Sequence, residues 1–85
     1  MGSVIVMEFK FTIINSTDNH YKVKITIEKE NKVVWNDVLD VVYDGMVLLN
    51  LNYIKEQLQD AQIRMAMISR LKKFISEFHI RKHGQ

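Results

Sequence analysis

The 85-residue sequence has no cysteine, which excludes disulfides, thiolate metal sites and cysteine nucleophiles and suits an intracellular chain. It has no proline, and its three glycines (Gly2, Gly45 and Gly84) are too scattered for a phosphate-binding loop. No apolar run exceeds four residues, far short of the roughly 20 that a membrane span needs. Residues 4–7 are likewise too short for the apolar region of a secretory leader, and no basic segment precedes them. The expected location is the cytoplasm.

The residue sets of common enzymes are missing too. His79 and His83 are four apart, a spacing that can put two imidazoles on one metal, but no Glu sits beside the first and no third ligand accompanies them. They read as a solvated tail, and His20 as the border of a turn. Asp37, Asp40 and Asp44 fall within eight residues. Carboxylate pairs run acid–base chemistry only in a cleft that drives their pKa values apart, and a small sheet-plus-helix domain offers little concavity. The cluster reads as turns and a guarded strand edge. No catalytic residue, metal, cofactor or small-molecule substrate is expected.

What the chain does have is alternation. Over residues 4–14, Met7, Phe9, Phe11 and Ile13 fall on one face of a strand and Glu8, Lys10 and Thr12 on the other. Residues 15–19 form a polar turn cluster. Residues 20–29 alternate again, with Tyr21, Val23, Ile25 and Ile27 inward and Lys22, Lys24, Thr26 and Glu28 outward. A third strand is predicted over 33–43, interrupted near Asp37 and Asp40 by a bulge or by a division into two short strands. Asp44 and Gly45 then turn the chain, residues 46–49 are a short edge strand or a lead-in, and Asn50 or Asn52 caps a helix.

Residues 51–79 contain neither glycine nor proline and keep apolar residues at helical spacing, so one helix is predicted over about 51–80. The expected fold is α+β in a single domain, 1–85, with a three- or four-stranded antiparallel sheet covered on one face by this helix. Its wheel carries two stripes. Ile54, Leu58, Ala61, Met65, Ile68 and Ile75 are assigned to the sheet, whereas Met67, Leu71, Phe74 and Phe78 lie about 80–140° away. A 29-residue helix overhangs strands of ten residues by some 10 Å, so the second stripe is expected to join a homodimer.

Charge is unevenly placed. Residues 64–85 hold six cations against Glu77 alone, a net +5, whereas residues 1–63 hold six lysines against nine acids, a net −3. Cations suit a helix C-terminus, and the excess leaves room for an anionic partner. Two functional readings follow. In one, a protein partner meets Asp37, Asp40, Asp44 and an exposed edge, as in an adaptor or an inhibitor of the kind phages and mobile elements deploy. In the other, single-stranded nucleic acid lies on Lys10, Lys22 and Lys24 with Trp35 as a stacking platform, joined by Arg70, Lys73, Arg81 and Lys82. Trp35 faces the core if it pairs opposite Ile27 and joins the lysines if the register slips by one. In order of elements, strands then a dimerising helix, the chain resembles the single-stranded-DNA-binding transcription coactivator and Whirly folds, without a shared motif.

Overall fold

The computed structural model describes residues 6–83, the side chain of His83 excepted. Strands β1 (Met7–Thr17), β2 (His20–Lys29), β3 (Lys32–Tyr43) and β4 (Val47–Leu48) form one antiparallel sheet in the order β1-β2-β3-β4. Helices α1 (Leu51–Gln57) and α2 (Ala61–His83) follow, and the sheet curls beneath the long second helix. The alternation of the first two strands sets the inner face as expected. Tyr21, Val23, Ile25 and Ile27 are buried, and Met7, Phe9, Phe11 and Ile13 pack beside them.

Turn chemistry moves two boundaries. β1 runs on to Thr17, because the register shift between Ile13 and Asn15 absorbs Ile14 as a bulge and leaves only Asp18 and Asn19 in the loop. The predicted start at residues 4 and 5 lies outside the described residues. At the next turn both loop residues, Glu30 and Asn31, have positive φ (53° and 67°), the conformation of a two-residue hairpin turn whose twist matches the strands. That turn alone would send Trp35 outward. A bulge at Val34 restores the register and pairs Trp35 with Ile27, so Trp35 faces the core. The irregularity expected near Asp37 and Asp40 is therefore at Val34, and β3 passes unbroken through both aspartates.

The predicted single helix is two. Asp60 accepts hydrogen bonds from Gln62 N and Ile63 N at 3.0 and 3.2 Å, a cap that starts α2 afresh. Arg64 turns back to the Leu58 carbonyl at 2.9 Å, satisfying an oxygen that the end of α1 leaves free. A continuous helix would have put Gln57, Asp60 and Arg64 in line with Met67 and Leu71, where the core lies; the break takes them out of it. Asp60→Ala is expected to cost about 1 kcal/mol in urea denaturation, the usual value of a lost cap.

The break also mixes the two stripes: Ile54, Leu58 and Ile75 of the first are buried as expected, and so are Met67 and Leu71 of the second. Met67, Leu71 and Ile75 are 0% exposed, and Phe74 and Phe78 pack against the same core. Met65, assigned to the sheet, is 67% exposed, Ala61 is exposed, and Ile68 is half-buried. Of the expected dimer seam, Met67 and Leu71 are thus interior to one chain, and Phe74 and Phe78 are half-buried against the same core. The lengths explain it. Once α1 is detached, the 23 residues of α2 span about 35 Å, matching the roughly 36 Å of an 11-residue strand, and no overhang remains.

Candidate functional site

β3 has twelve residues, yet β4 pairs with only Val42 and Tyr43. The Tyr43 amide donates to the Asn19 carbonyl at 2.9 Å, so by the antiparallel alternation the odd-numbered residues of β3 exchange bonds with β2. Asn36, Val38 and Asp40 then turn their backbone groups toward the open edge. α1 is placed alongside by Asn50, whose side chain accepts from Tyr53 N at 3.1 Å and caps the helix. Between strand edge and helix lies a cleft of about 280 Å³. Leu49, Asn50, Tyr53 and Ile54 form one wall, and Val38, Leu39 and Asp40 the other.

Asp37 is joined to this cleft through Tyr53. Its register partner is Ile25, so it points inward, and it stays at the margin of the core by bonding twice. One carboxylate oxygen takes the Val38 amide at 2.7 Å, and the other takes the Tyr53 hydroxyl. Donation to Asp37 holds the Tyr53 phenol above its ordinary pKa, with burial and the carboxylate charge adding to the shift. Asp40 is exposed, opposite Lys22 on the other face of the strand, and lines the cleft. Asp44 is exposed in the turn before Gly45, where φ is +73°. The three aspartates close in sequence therefore have three different surroundings.

The cations expected to work together are split by the sheet. Lys10, Lys22 and Lys24 are exposed on its outer face, opposite Thr26, Asn15 and Thr12. Lys10 donates to Glu28 at 3.1 Å, a contact that raises its pKa by hydrogen bonding and charge. Arg70, Lys73, Arg81 and Lys82 belong to α2, which packs on the inner face. Arg70 lies 4.8 Å above the Phe9 ring, and Lys82 donates to Ser16 Oγ at 3.2 Å. Trp35 is half-buried on the inner face, away from the outward-facing lysines.

His79 is not part of a solvated tail. It is half-buried, stacks on Tyr43 with centroids 4.2 Å apart and an 18° tilt, and its Nδ1 shares a hydrogen bond with the Tyr21 hydroxyl. Phe78 meets the Tyr21 ring edge-on at 5.6 Å. Burial raises the pKa of the Tyr21 phenol, and Tyr43 adds a smaller push. Sequence reasoning missed this cluster and Tyr53 alike. Tyr21 and His79 are 58 positions apart, Tyr53 and Asp37 16, and no local spacing signals either pair. Among the described residues no three His, Cys, Asp or Glu side chains converge to hold a metal ion, and no helix is long and apolar enough to cross a membrane. Compared with protein-family models, curated proteins and solved structures, the chain gives no match.

Proposed function

We propose that the chain is a non-enzymatic protein-binding module that receives an extended segment of a protein partner in the cleft between β3 and α1. The cleft itself carries the reading. It has apolar side chains beside the polar groups of Asp40 and Asn50, and borders a strand whose even-numbered backbone groups point away from β2. An extended segment adds main-chain hydrogen bonds to such an edge, and alternate side chains supply specificity. Val38, Leu49 and Tyr53 offer apolar contact, and Asp40 offers a carboxylate to a Lys or Arg of the partner.

Selection of a displayed random-peptide library on the immobilised protein tests this. Recovered peptides should carry apolar residues at alternate positions beside a Lys or Arg, and Asp40→Lys should weaken them by about tenfold, some 1.4 kcal/mol. Peptides held equally well by Asp40→Lys would overturn the cleft as their site. Single-stranded nucleic acid is the second reading, favoured by the cations on the exposed side of α2. Binding of an oligonucleotide that falls steeply with added salt would support it instead.

A further inference from the structure

The two edges of the sheet are treated differently. On the β3 side, β4 pairs one end, Tyr53 of α1 reaches across to Asp37, Asp37 points a charge inward and takes the Val38 amide, and Val34 bulges. Together these leave only the stretch of the β3 edge beside the cleft open to a pairing strand. On the β1 side none of them is present before the bulge at Ile14. Among the described residues no strand lies beyond β1, the segment has no proline, and its inward residues Met7, Phe9, Phe11 and Ile13 are all apolar. They are also only half-buried, because the sheet continues on one side alone. The β1 edge is thus the longer of the two that a second strand can reach.

We propose that β1 pairs antiparallel with β1 of a second copy of this chain, about a two-fold axis at Phe9, to give one continuous eight-stranded sheet. The Glu30 amide donates to the Val6 carbonyl at 3.1 Å, which places even-numbered residues in the hydrogen-bonded pairs with β2. Met7, Phe9 and Phe11 therefore turn their N–H and C=O groups outward, where a self-pairing strand needs them. Charge then selects the register. Centring on Glu8 sets Glu8 against itself, and centring on Lys10 sets lysine against lysine. Centring on Phe11 sets Lys10 against Thr12. Only the Phe9 centre sets each Glu8 opposite Lys10 of the partner subunit, twice over, at the closely approaching non-hydrogen-bonded positions. Lys10 is then bracketed by its own Glu28, 3.1 Å away, and the partner subunit's Glu8. On the inner face Phe9 meets Phe9 of the partner subunit, and Met7 meets the partner subunit's Phe11, covering side chains a lone chain leaves half open.

This edge is opposite the β3 cleft, so the two proposals stand or fall separately. Sedimentation equilibrium over a range of concentrations, with hydrogen exchange read at single amides, tests the pairing. The expected result is twice the 10.1 kDa chain mass, with Phe9 and Phe11 amides protected only as the dimer forms. Glu8→Lys, an exposed substitution that sets lysine against lysine, should raise the dissociation constant by about tenfold, and adding Lys10→Glu to it should bring the dimer back. Circular dichroism confirms that each variant is folded. A 10.1 kDa species at every concentration would overturn the proposal and leave the edge to a foreign strand. So would a dimer whose affinity and Phe9 and Phe11 exchange ignore Glu8→Lys.

Discussion

Leu71→Ala is expected to lower the unfolding free energy by about 2–5 kcal/mol while leaving the molar mass of the folded protein unchanged. Leu71 is 0% exposed, one helical turn from Met67 and from Ile75, which are equally covered. Truncation removes the transfer free energy of the lost carbons and leaves a cavity that packed neighbours fill only in part. For 85 residues total stability is on the order of 4–13 kcal/mol, so the loss is a large share of it. Met65→Ala, on the exposed side of the same helix, is the control and should stay within about 0.5 kcal/mol. Urea denaturation read by circular dichroism measures both. A Leu71→Ala variant with an unchanged midpoint and a halved mass would restore the helix seam and remove the one-chain core.

Tyr21→Phe has the second largest expected effect, and it depends on pH. At neutral pH the substitution removes a buried hydroxyl bonded to His79 and should cost about 0.5–1.5 kcal/mol. In alkali the order changes. Burial, and then Tyr43, hold the folded phenol above its ordinary value of 10.0. A pKa higher in the folded than in the unfolded state gives stability that is complete below the unfolded value. It is lost as pH rises through the folded one. The wild-type midpoint should therefore fall as pH passes above about 10, and Tyr21→Phe should fall less. Tyr53 is raised for a different reason, its bond to Asp37, so Tyr21→Phe with Tyr53→Phe should be flatter still. Parallel slopes for wild type and Tyr21→Phe would mean that the phenol titrates as freely folded as unfolded.

The sheet was legible in the sequence because a period of two leaves little choice. Once Tyr21, Val23, Ile25 and Ile27 share a face, the lysines between them must take the other. The depth of Trp35 needed one more fact, the Val34 bulge, and Val33 and Val34 side by side carry no sign of which is the extra residue. The helix break was hidden for a related reason. Gln59, Asp60 and Ala61 are acceptable helix residues, and a cap reads as a cap only when an end is suspected. The wheel held the clue, since its second stripe began only at Met67, after polar Gln57, Asp60 and Arg64. The cleft was not legible at all. It exists because Tyr53 reaches Asp37 across the space between α1 and β3, a contact that no pattern along the chain encodes.

The strand order has a kinetic consequence. Every strand lies beside its neighbour in sequence, and two of the three connections are two-residue loops. Little loop-closure entropy precedes the first contacts, so the hairpins can zip in succession and α2 can close over a sheet already assembled. Refolding after dilution from denaturant should then be fast for a β-rich chain, with no proline to add a slow phase.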